Sequence, residues 1–83
     1  MNNKKILEKI LSGSKSIKFS DFTKLVTGFG FKLDRIKGSH HIYKMDGIEE
    51  LINLQNVNNE IKPYQIKQFL AIIEKYNLEL GDN

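Results

Sequence analysis

The spacing of apolar and polar residues along the chain predicts three helices. Over residues 3 to about 11, apolar positions recur every three or four residues, as on one side of a helix, at Ile6, Leu7, Ile10 and Leu11. A second helix is expected to have Ser20 as its N-cap and to stop at Gly28. A third is expected to begin at Pro63, which the first helical turn tolerates, and to bury Ile66, Phe69, Leu70 and Ile73.

Between the second and third helices, the pattern changes to the alternation that is typical of β-strands. The first strand is expected to start at Phe31, the second to span His40–Met45 and the third Glu50–Leu54. Lys37-Gly38 and Asp46-Gly47 have the composition of the two turns between them. The order α-α-β-β-β-α favours an α+β fold, in which a three-stranded antiparallel sheet packs on helices through one face and leaves the other face free.

Alternation also predicts which side chains share a face of the sheet, because successive residues of a strand point to opposite sides. In the first strand, one face is expected to carry Phe31, Leu33 and Arg35, and the other Lys32, Asp34 and Ile36. The phenylalanines stand at spacings that fit a core, and we expect all of them to be buried: Phe19, Phe22, Phe29, Phe31 and Phe69.

Composition limits the classes of protein to which the chain can belong. Its 83 residues predict one small domain, and a hydrophobic content of 40% is enough for a packed core. Without cysteine there are no disulfides, thiolate metal sites or cysteine nucleophiles, and we expect a cytoplasmic protein. No apolar run approaches the roughly 20 residues of a membrane span, and Glu8 interrupts any signal-peptide core. The net charge of +3 is compatible with binding phosphates.

The chemistry of the chain is concentrated in residues 37–43, Lys-Gly-Ser-His-His-Ile-Tyr, which contain the only two histidines. Histidine takes up and releases protons near neutral pH, and in a basic chain it suggests proton transfer on an anionic substrate such as RNA. The plainer interpretation, and the commoner case, is a strand histidine held by packing. Each histidine shares its expected face with an apolar residue, Ile42 for His40 and Tyr43 for His41, so the sequence leaves open which one reaches solvent.

Other chemistry at this turn is less well supported. Because His40 and His41 point to opposite faces, they lack the same-face spacing of a metal site, and we expect neither a metal nor another cofactor. Gly38-Ser39 lacks the glycine spacing of a phosphate loop, and we interpret it as a hairpin turn that a phosphate backbone can approach. No framework of acid, base and oxyanion-stabilising group is recognisable around Ser39, so we do not expect it to act as a nucleophile.

Basic residues form two groups near these motifs. One surrounds the turn and consists of Lys32, Arg35, Lys37 and Lys44. The other begins the last helix and consists of Lys62 and Lys67 together with Tyr64. Both are ordinary solvated side chains unless the fold places them on one surface, where they would bind phosphates and neutralise developing charge.

At this point the chain resembles a known family. Residues 37–43 are similar to the Gly-Ser-His-His-aromatic signature of the HicA (YcfA-like) toxins. Phe19-Ser20-Asp21-Phe22 before Gly28-Phe29-Gly30-Phe31, and Leu54-Gln55-Asn56 before Lys62-Pro63-Tyr64-Gln65-Ile66, also resemble that family. The similarity extends from about Ile17 to Leu78. The first helix looks like an extension of longer members, which predicts a helical extension over residues 1–14 and a family domain over residues 15–83.

The resemblance implies a double-stranded-RNA-binding-domain-like fold and the function of a ribosome-independent mRNA interferase in a type II toxin–antitoxin system. A HicB-like antitoxin would neutralise it, and neither a membrane nor direct DNA binding is expected. The catalytic histidine of the family carries over to His40, with His41 as the competitor. Many relatives have a later His-Pro, whereas this chain continues Lys44-Met45-Asp46-Gly47, so turnover would be slower or rely on a lysine.

From these observations we expect metal-independent cleavage of mRNA, with His40 acting on the proton of a ribose 2′-hydroxyl. The residues expected to contact RNA are Arg35, Lys37, Gly38, Ser39, Lys44, Lys62, Tyr64 and Lys67. Two other classes stay open at this point. One is a non-catalytic RNA-binding module with the same fold, and the other is a subunit that exists chiefly as half of a regulatory complex.

Overall fold

Three helices and five strands make up residues 2–81, the part of the chain that the computed structural model describes. The helices are α1 (Asn3–Leu11), α2 (Phe19–Gly28) and α3 (Pro63–Tyr76). The strands are β1 (Ile17–Lys18), β2 (Lys32–Lys37), β3 (His40–Lys44), β4 (Ile52–Gln55) and β5 (Glu60–Ile61). The predicted α+β class is confirmed, and the arrangement is compatible with a double-stranded-RNA-binding-domain-like fold. No described helix is long and apolar enough to cross a membrane.

The main sheet has the strand order β2-β3-β4, and both of its pairings are antiparallel, as the sequence predicts for a meander. A second, two-stranded sheet of β1 and β5 was not predicted, because strands of two residues are too short to show alternation. Its pairing sets Ile17 opposite Ile61, and both side chains are buried. This small sheet therefore joins the segment before α2 to the segment before α3.

Phe69 of α3 lies at the centre of the core. Its ring makes edge-on contacts with Phe22 of α2 and with Phe29 and Phe31, at centroid distances of 5.3, 5.5 and 6.1 Å. The prediction that all five phenylalanines are buried is confirmed. The sheet contributes Tyr43, Ile52 and Leu54 to this core, and α1 contributes Ile6 and Ile10. The core thus lies between α2, α3 and one face of the main sheet, and α1 packs against α2.

The predicted start of α2 is wrong, whereas its predicted end is confirmed. The helix begins at Phe19, and its N-cap is Lys18 rather than Ser20. The Phe19 N–H donates to the Asn59 carbonyl at 2.8 Å, so the chain beside β5 satisfies one of the N–H groups that have no partner within the helix. At the other end, Gly28 has no room for a side chain, because a Cβ there would lie 2.5 Å from the Asn3 amide nitrogen.

The predicted faces of β2 are wrong beyond Asp34, because a β-bulge inserts one residue into the strand. Leu33 pairs with Tyr43, but the next pair is Arg35 with Ile42. One extra residue exchanges the faces of everything that follows. Arg35 therefore points away from the helices, and Ile36 shares the helix-facing side with Leu33.

The other strand boundaries differ from the prediction by one or two residues. β3 ends at Lys44 rather than Met45, and β4 spans Ile52–Gln55 rather than Glu50–Leu54. Glu50 instead lies before β4 and binds α3. Its carboxylate accepts hydrogen bonds from Lys75, at 2.7 Å, and from the Tyr76 hydroxyl. These two bonds tie the connection between β3 and β4 to the last turn of α3.

The Lys75 and Tyr76 hydrogen bonds lower the pKa of Glu50 from 4.5 to about 2. The ionised carboxylate therefore stabilises the fold above about pH 4.5, and this contribution disappears as the pH falls through about 2. We expect Glu50→Gln to lower the melting temperature at pH 7, and the difference from wild type to shrink between pH 4.5 and pH 2. Thermal unfolding followed by circular dichroism over this range measures it.

Glu49→Gln is the matched control for this experiment, because Glu49 is the exposed neighbour in the same connection. Its melting temperature should follow that of wild type at every pH. A difference between Glu50→Gln and wild type that stays constant from pH 7 to pH 2 would contradict the assigned role of the carboxylate.

Candidate functional site

The face of the main sheet that points away from the helices, called here the open face, carries His40 and three of the basic residues expected to contact RNA. Cross-strand partners share a face, so the pairing of the strands defines its members. They are Lys32, Asp34, Arg35 and Lys37 of β2, His40, Ile42 and Lys44 of β3, and Asn53 and Gln55 of β4. His40 lies on the central strand, directly between Lys37 and Gln55.

His40 is held in place by Asn53 on the neighbouring strand. Its Nδ1 lies 3.0 Å from the Asn53 Oδ1 atom. An amide oxygen only accepts hydrogen bonds, so this contact fits the neutral tautomer that is protonated on Nδ1, in which Nε2 carries the lone pair. The ring is partly exposed. The arrangement therefore presents an oriented nitrogen base on the open face.

His41 occupies the opposite, helix-facing side. Its ring packs edge-on against Phe19 of α2, with 4.9 Å between the ring centroids. Its cross-strand neighbours are Ile36 and Leu54, and Leu54 is buried in the core. The structure thus separates two histidines that the sequence left equivalent, and it gives His41 the surroundings of a packing residue.

The turn between β2 and β3 consists of Gly38 and Ser39. Gly38 has a φ of +58°, in the left-handed region, as a tight hairpin turn requires. The Ser39 carbonyl accepts a hydrogen bond from the Asn56 N–H at 3.0 Å, and its hydroxyl lies 3.5 Å from the Gln55 amide nitrogen. These contacts fasten the turn to the end of β4, immediately beside His40.

The open face is positively charged, but within the described part of the chain only some of its basic groups are free of an acidic partner. The Asp34 carboxylate lies 2.6 Å from Arg35 and 3.2 Å from Lys44. Lys44, followed by Arg35, lowers the pKa of Asp34, so the acid stays ionised between the two bases. Among the described residues, Lys37 forms no ion pair with an acid. Lys37 is therefore the cation beside His40 that is most available to an anionic ligand.

The second basic group lies on α3, away from the open face. Lys62 is the N-cap residue of α3, and Tyr64 and Lys67 are exposed in its first two turns. Buried Gln65 connects this end of α3 to β4, because its side chain accepts from the Gln55 N–H and donates to the Asn53 carbonyl. Both bonds are made to the residues of β4 that flank His40. The two basic groups thus lie on different elements and do not form one cluster.

Three polar residues of the site were missed at the level of sequence: Asp34, Asn53 and Gln65. The signal for Asn53 was present, since it alternates with buried Ile52 and Leu54 in β4. Assigning it to His40 requires the pairing of β3 with β4, which periodicity does not give. Asp34 was placed on the correct face, but its contact with Arg35 depends on the bulge.

The fold and this site define a small α+β protein that presents an oriented histidine among basic side chains on one face of a three-stranded sheet. Residues 19–74 match the model of a family described as the HicA toxin of bacterial toxin–antitoxin systems. The match covers more than half of the chain and extends from the first residue of α2 into the last turns of α3. The chain belongs to the HicA toxin family. Searches of curated proteins and of solved structures gave no match.

The contact between His40 and Asn53 makes a prediction about the neutral imidazole ring. We expect its proton on Nδ1, and we expect Asn53→Leu, which removes the acceptor, to shift the population toward the Nε2-protonated form. Nitrogen-15 chemical shifts of the ring distinguish the two tautomers. The His41 ring should keep its shifts in the variant. A wild-type His40 ring protonated on Nε2 would contradict the assignment.

Proposed function

We propose that this protein is the toxin of a type II toxin–antitoxin system and acts as a metal-independent mRNA endoribonuclease with His40 as its base. Membership of the HicA toxin family supports the toxin role. The observation that carries the enzymatic part is the open-face position of His40, with Nδ1 bound by Asn53 and Nε2 left to accept a proton. A histidine oriented through one nitrogen and free at the other has the arrangement of a general base.

In the proposed reaction, His40 Nε2 removes the proton from a ribose 2′-hydroxyl. The resulting oxygen attacks the adjacent phosphorus and forms the new O–P bond, while the bond from phosphorus to the 5′-oxygen of the next nucleotide breaks. The leaving oxygen takes up a proton from Lys37 or from water. The products are a 2′,3′-cyclic phosphate and a 5′-hydroxyl, and DNA, which lacks the 2′-hydroxyl, is not cleaved.

Charge that develops on the phosphate needs a cation close to the base. Lys37 stands directly opposite His40 in the pairing of β2 with β3, and Arg35 lies next along the same face. Lys44 is less suited, because its single ammonium group already binds Asp34, whereas Arg35 binds Asp34 through one Nη atom and keeps its other N–H donors. We therefore assign stabilisation of the transition state chiefly to Lys37, with Arg35 binding a neighbouring phosphate.

Neutralisation by a HicB-like antitoxin fits the same surface. The open face is the side of the sheet that the helices leave uncovered, and a protein bound there would cover His40 and its basic neighbours together. RNA and antitoxin would then compete for one site, and inhibition would need no conformational change. The exposed residues of α3 that were expected to contact RNA, Lys62, Tyr64 and Lys67, lie away from the open face and would stay outside that interface.

Cleavage of a defined mRNA in the presence of EDTA tests the enzymatic proposal. We expect His40→Ala to reduce the cleavage rate by about 10²–10⁴-fold, the usual contribution of general acid–base catalysis, and to leave RNA binding largely intact. The wild-type fragments should end in cyclic phosphates, which mass spectrometry identifies. His41→Ala is the matched control, and it should lose stability through its contact with Phe19 while the folded fraction keeps cleaving.

The outcomes separate the candidate functions. Fragments with 3′-hydroxyl ends, or cleavage that stops in EDTA, would overturn the mechanism. Cleavage that depends on His41 rather than on His40 would overturn the assignment of the base. RNA binding without cleavage by the wild-type protein would favour the non-catalytic RNA-binding module.

The role of the antitoxin has its own test, in which the inactive His40→Ala variant binds a fluorescent RNA. We expect one equivalent of HicB-like antitoxin to displace the RNA, because both occupy the open face. Fluorescence anisotropy measures the displacement, and the variant protects the probe from cleavage during the titration. A complex in which antitoxin and RNA are bound together would contradict direct occlusion.

A further inference from the structure

The strand β2 is an exposed edge of the main sheet. It pairs with β3 on one side only, and all six of its residues are exposed. On its helix-facing side, Leu33 and Ile36 remain 48% and 53% exposed, because the helices do not cover them. An edge strand with uncovered apolar side chains is a template for pairing with another strand.

The sequence of β2 is symmetrical about its centre, and the bulge places the residues at symmetrical positions on the same face. Its residues are Lys32, Leu33, Asp34, Arg35, Ile36 and Lys37, so that reading outward from the centre meets an acid and a base, then two aliphatic residues, then two lysines. In a regular strand, Leu33 and Ile36 would point to opposite faces. Because of the bulge, Leu33 and Ile36 share one face, and Asp34 and Arg35 share the other.

We propose that two copies of this protein associate through β2, paired antiparallel about a two-fold axis that passes through the bulge. In this register, Leu33 of each copy lies opposite Ile36 of the other on the helix-facing side. Asp34 of each copy lies opposite Arg35 of the other on the open face. Both kinds of pair stabilise antiparallel strands, and a two-fold axis produces each of them twice.

The Leu33–Ile36 and Asp34–Arg35 pairs, more than the buried surface area, set the register of the two β2 strands. Lys32 lies opposite Lys37 at both ends, where the long side chains turn outward into solvent at a modest electrostatic cost. A shift by one site would set each aliphatic residue opposite the charged bulge and would lose the pairs at the centre. The occupant that best complements this edge is therefore β2 itself. The inference does not depend on the proposed nuclease function.

Charge reversal at the centre of β2 tests the proposal. In a dimer of Asp34→Arg, arginines would face arginines at the axis, and in a dimer of Arg35→Asp, acids would face acids. We expect each variant to be monomeric at concentrations at which wild type is dimeric. An equimolar mixture of the two variants should form a heterodimer, because each copy then meets the opposite charge. Sedimentation velocity and native mass spectrometry measure the species.

Controls keep the result interpretable. Glu8→Arg and Lys9→Glu make charge changes of the same size on the exposed side of α1, and both should stay dimeric. Circular dichroism confirms that each variant is folded, and recovery of the dimer in the mixture excludes simple unfolding. A wild-type protein that stays monomeric at millimolar concentration, or a dimer that survives both single reversals, would overturn the proposal.

Discussion

The contact of the Phe69 ring with Phe22, Phe29 and Phe31 is the interaction on which the rest of the structure depends. It brings α3 against Phe22 of α2 and against Phe31 before β2, so that the helices close one face of the sheet. On the other face, a side chain can then be covered only by its neighbours on the adjacent strands. Ile42 illustrates this, since it is only 7% exposed between its cross-strand neighbours Arg35 and Asn53 and lies outside the main core. Polar and basic side chains therefore surround His40 as a result of where the core lies.

One-sided packing also gives a single inserted residue unusual influence. Each face of the sheet has a different environment, and the bulge at Asp34 and Arg35 determines on which face each of the following side chains lies. It brings Arg35 to the face of His40 and leaves Ile36 on the apolar side. The same insertion makes the outer edge of β2 symmetrical. The bulge therefore accounts both for Arg35 on the open face and for the symmetry of the β2 edge.

Features that depend on local periodicity were predictable from the sequence, whereas features that depend on pairing were not. The spacing of Ile6 and Ile10, and that of Ile66 and Phe69, correctly predicts α1 and α3. The apolar stripe of a helix can be recognised within about a dozen consecutive residues. The contact between His40 and Asn53 joins residues thirteen positions apart through a register that no local pattern encodes. The bulge leaves no mark in the sequence either, since Asp34-Arg35 is compatible with regular alternation. The histidines and the basic residues of the candidate site could therefore be named from the sequence, but their geometry and the polar partner Asn53 could not.

The geometry of the sheet makes the proposed activity and the proposed pairing compatible. A ligand on the open face approaches along the normal of the sheet, whereas a second copy joins within its plane, so the two occupy different surfaces. Strands are spaced about 4.8 Å apart, which would set the two β3 strands of a pair about 14 Å from each other, with both His40 rings on one side. Arg35 and Lys37 of both copies would then lie between the two histidines. Such a surface would hold one RNA strand more strongly than either copy alone, because its positive potentials add over the length of the strand.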